Sequence, residues 1–460
     1  MLSCSGYRLA VLLTVASTLG GSTAVAQEPR HKQVVSEQAA KVTQAPPEGS
    51  QYDESVVAEE LKSPLLAGKE ATLETPTPGV AQDREPATRE ESIEQEQAKK
   101  VPTLHPYVPD KTEALFNKFD EIITNGIPRW HPFFGSAYYG GGFTLGVGYA
   151  HFVSPYNLLD VRGSYTIRDY KRIEAELTVP RVFHRRGALA VLGGWREATQ
   201  VGFYGIGMET STADRTNYSF RQPYASATLT FWPTRRFLVL RGAEELSQWS
   251  VGAGEGSHPS VDTVYTPQTL PGLGATATYL HSEGTVGFDW RTSPGYSRRG
   301  GYYNVSLHDY ADTDKEFGFR QVNYEVIQHF PILRESWVIS LHGLAQTTSD
   351  KTGQQTPFFM LPYVGSGSTL RGFISHRFRD TNSLLLQAEW RIMVNRFMDT
   401  AVFYDAGKVT AHKSDLDLNG LKSDYGFGVR FHGPFTTPLR IEVAHSVEGL
   451  RLNFTMSPVF

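Results

Sequence analysis

From about residue 140 to its end, the chain alternates apolar and polar side chains with a period of two. Successive side chains on a strand point to opposite faces, so this period specifies strands and excludes an amphipathic-helix fold. In residues 384–394, Leu384, Leu386, Ala388, Trp390, Ile392 and Val394 take one face, while Gln387, Glu389 and Arg391 take the other. Ile173, Ala175, Leu177 and Val179 stand likewise against Glu174, Glu176 and Thr178, and Val286, Phe288 and Trp290 against Gly287, Asp289 and Arg291. A soluble sandwich rarely buries Arg, Glu and Gln on so many inner faces. A lipid-facing barrel requires that arrangement, with an apolar outer band and a polar lumen.

The N-terminus indicates export. Arg8 provides a positive start, residues 9–19 an apolar core, and Ala24-Val25-Ala26 a cleavage site before Gln27. That apolar stretch is too short for a spanning helix, which needs ~20 residues. Cys4, the single cysteine, precedes the apolar core, which excludes a lipoprotein signal; the mature chain then has no disulfide and no cysteine-ligated metal. No later apolar run is long enough to span a bilayer as a helix. A membrane protein without such helices must be a closed barrel, because open sheet edges cannot be satisfied in lipid.

Residues 27–104 are rich in Glu, Gln, Ala, Pro and Thr. Between Gln27 and Lys100 there are 15 acidic and 9 basic residues, 7 prolines and one aromatic, Tyr52. Such a segment cannot bury enough apolar surface to offset chain entropy, and disorder is expected. Leu115, Phe116, Phe119, Ile122 and Ile123 then recur at helical spacing, predicting a short helix over 110–123. Two placements are open, one on the barrel rim and one as a plug in the lumen. The expected organisation is a signal peptide (1–26), a disordered acidic periplasmic segment (27–104), a helix and linker (105–130) and a transmembrane barrel (131–460). Fifteen strands can be read directly, starting with 143–153 and ending with 449–457. A barrel with both ends in the periplasm has an even number. The sixteenth is expected within residues 133–139, ahead of Gly140-Gly141-Gly142. The fold class is therefore an all-β, sixteen-stranded antiparallel barrel in the bacterial outer membrane, with outer-membrane lipid as its surroundings.

A segment of about thirty residues separates two strands, and loops of that length inside a barrel are usually functional. It contains Leu370-Arg371-Gly372-Phe373 and is followed by Arg377-Phe378-Arg379-Asp380, Gln387-Ala388-Glu389-Trp390-Arg391 and Phe403-Tyr404-Asp405-Ala406-Gly407. In this order the segments resemble the outer-membrane assembly barrel superfamily, the BamA/TamA-like bacterial surface antigen domain. Phe203-Tyr204-Gly205-Ile206-Gly207 and Asp289-Trp290-Arg291 add to the likeness, which covers about residues 131–460. Leu452, Phe454 and Met456, with the terminal Phe460, resemble the C-terminal strand signal of that family. The resemblance implies an inward-folded loop whose arginine, here Arg371, is held by the aspartate of the second motif, here Asp405. The physics agrees: a guanidinium folded into a narrow lumen must be paired. Glu389 is the expected second acid, and Gly372 and Gly407 would let the loop approach the wall closely. A purely structural lock and a functional gate are both open readings. In place of the periplasmic POTRA modules of the family the chain shows the acidic segment, and so resembles a POTRA-less subgroup.

Two functions follow as expectations. One is insertion or translocation of protein or lipid through a weak seam between first and last strands, with an unfolded barrel client or an accessory periplasmic protein as partner. The other is a passive or gated channel or a structural barrel. No catalytic constellation is legible: Gly365-Ser366-Gly367-Ser368 misses the Gly-x-Ser-x-Gly spacing, and no His-Glu-x-x-His occurs. No metal, cofactor or nucleic-acid partner is expected, the last because the net charge is only -4.

Overall fold

The computed structural model describes residues 88–100, 128–234, 237–433, 436–456, 458 and 460. The expected signal peptide and the helix over 110–123 lie outside the described residues, as does most of the acidic segment. One part of that segment departs from the expectation of disorder. Arg89–Lys100 forms a helix, α1. Thr88 Oγ1 accepts a hydrogen bond from the Glu91 backbone N–H at 3.2 Å, and Lys100 pairs with Glu96 at 3.6 Å. Thr88-x-x-Glu91 is a capping-box spacing, and the Glu/Gln/Ala/Lys run behind it has high helix propensity. A search for apolar periodicity cannot see a helix of this kind.

Sixteen strands form one antiparallel sheet in chain order. They are β1 (Trp130–Pro132), β2 (Thr144–Phe152), β3 (Leu158–Thr166), β4 (Lys171–Val182), β5 (Gly187–Phe203), β6 (Thr216–Phe231), β7 (Leu238–Ala253), β8 (Thr276–Asp289), β9 (Gly300–Asp312), β10 (Phe319–Leu333) and β11 (Trp337–Asp350). After the long loop, whose short hairpin is β12 (Tyr363–Val364) and β13 (Phe378–Arg379), come β14 (Asn382–Asn395), β15 (Met398–Thr410), β16 (Lys422–Phe431), β17 (Leu439–Ser446) and β18 (Gly449–Thr455). The faces follow the alternation. Ile173, Phe288, Trp390, Leu452, Phe454 and Met456 lie on the outside, where lipid covers them. Glu174, Glu176, Gln387 and Glu389 are buried in the lumen. The longest connections, 204–215, 254–275 and 351–381, all lie at one end of the sheet, which puts that end outside the cell and the other in the periplasm.

Two expectations are corrected. The first strand is Trp130–Pro132, paired with Val147–Tyr149 of β2, and not residues 133–139. Phe133 N–H still donates to Gly146 O of β2 at 2.9 Å, and from there the chain leaves the sheet and enters the lumen. There the Phe133 ring lies 5.3 and 5.7 Å from the guanidinium groups of Arg162 and Arg172. Gly135 O accepts from Ser164 Oγ at 2.6 Å and Ser136 O from Arg172 Nη1 at 3.0 Å, while Ala137 and Tyr138 are buried. Half-buried Ser164 on β3 and buried Arg172 on β4 thus satisfy this backbone in place of a strand partner. The second correction concerns Phe460. Leu452, Phe454 and Met456 are lipid-facing as expected of a terminal strand, but β18 ends at Thr455 and Phe460 is only 5% exposed. Its ring lies against His329 and His342, at centroid distances of 6.1 and 5.0 Å, beside Tyr302 and Ile327. An apolar ring gains burial there that the membrane interface does not offer.

The face assignment has a measurable consequence. Leu341→Arg, on the outer face of β11, should destabilise the barrel in bilayers by about 2–4 kcal/mol. Leu341→Phe should be nearly neutral. Equal costs in a urea titration would show that Leu341 does not face lipid.

Candidate functional site: the lumen lock

The long loop between β11 and β14 folds inward by way of its own glycines. Gly365 follows β12 with φ +105°, and a Cβ there would lie 2.6 Å from Ile374 O. Leu370 then anchors the turn in a buried cluster with Val364, Phe373, Phe378, Leu385 and Val409. The next residue is Arg371, which is fully buried. Its Nε and Nη2 meet Asp405 Oδ2 and Oδ1 at 2.6 and 2.7 Å, a bidentate pair. Its Nη1 reaches Glu389 Oε1 at 2.6 Å and Glu442 Oε1 at 3.0 Å. The guanidinium also sits 3.4 Å from the Phe403 ring centre. Gly372 brings the backbone against the wall: a Cβ there would be 2.6 Å from Asp424 Cβ. A Cβ on Gly407 would be 2.8 Å from Leu384 O on the next strand and 3.5 Å from Leu370 Cδ2 of the loop.

Wall residues bind the loop backbone in turn. Gln387 Nε2 donates to Thr369 O at 2.8 Å, Arg440 Nη2 to Gly367 O at 3.2 Å and Ser446 Oγ to Gly372 O at 2.8 Å. Asn453 Nδ2 on β18 donates to Arg371 O at 2.9 Å. The structure therefore brings Arg371, Asp405 and Glu389 together around Gly372, with Gly407 beside Leu370. Sequence reasoning missed Glu442, Arg430 and Arg440. Arg430 holds both oxygens of Glu389 and reaches Glu442 at 2.9 Å, and Arg440 pairs with Glu442 at 2.8 Å. Three arginines and three acids then balance within one network, which is what burial of so many charges demands. The signal was present in the alternation, because all three residues fall on the lumen side of β16 and β17.

Two further groups flank the lock. On β3 and β4, Arg162 binds Asp160 at 2.8 Å, Glu176 at 2.6 Å and also Glu174, while His131 of β1 contacts Asp160 at 2.9 Å. Toward the long-loop end the lumen holds an apolar core that includes Tyr138, Phe203, Phe220, Trp249, Phe358 and Phe359. Its rings pack in T-shaped and tilted pairs, Phe203–Phe358 at 5.2 Å and Phe220–Trp249 at 4.8 Å.

A family model described as the Omp85 superfamily domain matches residues 134–457. The chain belongs to the Omp85 superfamily. Among solved structures it is similar to BamA from Haemophilus ducreyi lacking POTRA domains 1–3, at 16% identity and TM-score 0.52, covering 71% of this chain and 67% of that one. It also resembles CdiB from Escherichia coli, at 11% identity and TM-score 0.46, over 71% of this chain and 60% of that one. The first likeness supports the barrel fold, and the chain spans about two thirds of that relative's length. No curated protein sequence matches. This Omp85 barrel resides in the bacterial outer membrane, in a superfamily of insertion and translocation barrels rather than of enzymes.

The lock geometry sets an order of effects. Arg371→Ala leaves three acids without their shared cation and should cost about 3–5 kcal/mol. Asp405→Ala should cost less, because Glu389 and Glu442 still hold the guanidinium. The double substitution should cost much less than the sum, since the partners are coupled. Unfolding temperature and protease cleavage near Gly365 measure both; strict additivity would refute the coupling.

Proposed function

We propose that this Omp85 barrel helps insert or translocate protein or lipid at the outer membrane by way of the seam between β1 and β18, and that it is not a passive channel. The observation that supports this reading is the contrast between a filled lumen and a thin seam. The long-loop end of the lumen is packed with aromatic rings, and the inward loop is pinned across the middle by Arg371. A water-filled pore needs an open polar interior instead. At the seam β1 has three residues and β18 seven. Among the described residues no ladder joins them. Unpaired backbone groups facing lipid are costly, and an incoming strand or segment can satisfy them. In this reading the partners are outer-membrane lipid and an unfolded barrel client, with or without an accessory periplasmic protein.

Arg371, Asp405 and Glu389 serve in this proposal as the lock that holds the inward loop, and Leu452, Phe454 and Met456 as the lipid-facing part of the terminal strand. Reconstitution in liposomes separates the two functions. The protein should speed insertion of an unfolded barrel protein and pass no small solutes. Solute flux without faster insertion would favour the channel and overturn the proposal.

A further inference from the structure

The two ends of the barrel carry opposite charge. The seven connections at the periplasmic end hold nine arginines, no lysine and a single acid, Glu335. The connections at the extracellular end hold eleven acids against eight lysines and arginines, and three of those eight, Arg371, Arg377 and Arg379, are buried. On the periplasmic rim Arg185, Arg186, Arg299, Arg334 and Arg396 are exposed. Arg299 lies 3.7 Å from Glu335, while the other four have no acidic partner among the described residues.

Two of these arginines stand where the backbone disfavours them. Arg185 has φ +66°, after Phe183 and His184 at +51° and +56°, and Arg334 has φ +42° beside Glu335 at +64°. Hairpin turns in this left-handed region select Asn, Asp or Gly, and other residues persist there at a cost to folding. Folding alone therefore does not account for arginine at either turn. Exposed rings mark the level at which the turns sit. Trp130 begins β1, Phe183 and Trp290 follow β4 and β8, and Trp337 begins β11. Aromatic side chains gather where hydrocarbon meets headgroups, which sets the turn arginines among the phosphates.

We propose that the periplasmic rim binds anionic phospholipid headgroups of the inner leaflet, with Arg185, Arg186, Arg334 and Arg396 as the principal contacts. A guanidinium meets a phosphodiester through two parallel N–H donors, which the ammonium of lysine cannot match. A zwitterionic headgroup offers the same phosphate with its own cation beside it, so the net charge of the lipid decides the preference. The acids at the other end repel anionic headgroups, so the charge pattern also favours one orientation across the two leaflets. Such binding requires the barrel's seat in lipid and not its insertion activity.

The test uses the full chain in phospholipid vesicles. Trp130, Trp290 and Trp337 are exposed at this end, so bromine-labelled lipids quench their fluorescence from neighbouring sites. Brominated phosphatidylglycerol should occupy those sites about fivefold more readily than brominated phosphatidylcholine, the preference that one cation near the surface supplies. High salt should reduce the ratio. The variant R185N/R186Q/R334N/R396Q should bring it close to one. Arg334→Asn alone should lower the ratio while keeping or raising the unfolding midpoint in neutral detergent, because Asn suits the left-handed turn. That pair of readouts separates lipid binding from folding. Equal quenching by the two lipids in the unaltered protein would overturn the proposal. A ratio unchanged in the fourfold variant would overturn it too, and would assign the arginines to an acidic protein instead.

Discussion

Burial of the Arg371 charge is the constraint on which the lumen is built. A guanidinium with no exposed surface must meet acids, and Asp405, Glu389 and Glu442 come from three different strands, β15, β14 and β17. Those acids are themselves too many for one cation, which brings in Arg430 and Arg440 from β16 and β17. The loop and four consecutive strands are thereby held in one electroneutral network. Gly372 is required for the same reason, since any side chain there would push the backbone, and with it Arg371, away from the wall.

Above and below this layer the lumen is closed by different means. On the long-loop side, aromatic rings from strand ends and loops pack as the interior of a soluble protein does. On the periplasmic side, Phe460 turns in to line a cavity shared with Glu389, Arg430 and Arg440.

The strands were legible because lipid and lumen impose opposite chemistry on alternate residues. The fifteen strands read directly agree with the observed ones to within a few residues, and they differ most at the C-terminal ends of β5, β7 and β10. Parity called for a sixteenth, but its position depended on Ser164 and Arg172 binding the backbone after Pro132, a long-range contact no local pattern carries. The helix α1 escaped because capping and propensity, not periodicity, specify it. Arg371 and Asp405 could be matched through two motifs and the physics of a buried charge. Arg430, Arg440 and Glu442 needed the extra step of asking which lumen-facing charges on later strands lie at the same height. Phe460 shows the limit of reading by resemblance, since a terminal aromatic fits the strand signal by type while its ring is buried elsewhere.

The link between loop and seam can be weighed by magnitude. β18 touches the loop through Asn453 Nδ2 and Arg371 O, a neutral hydrogen bond. A bond of that kind contributes about 0.5–1.5 kcal/mol net. Arg371 is held to β14, β15 and β17 by charge-assisted bonds inside a buried network. Removing one partner of such a pair costs about 3–5 kcal/mol. If the terminal strand moves, the Asn453 bond therefore breaks first and the lock survives. The inward loop then serves as a fixed post beside a movable edge, and the side of the barrel from β14 to β17 keeps its register while β18 departs.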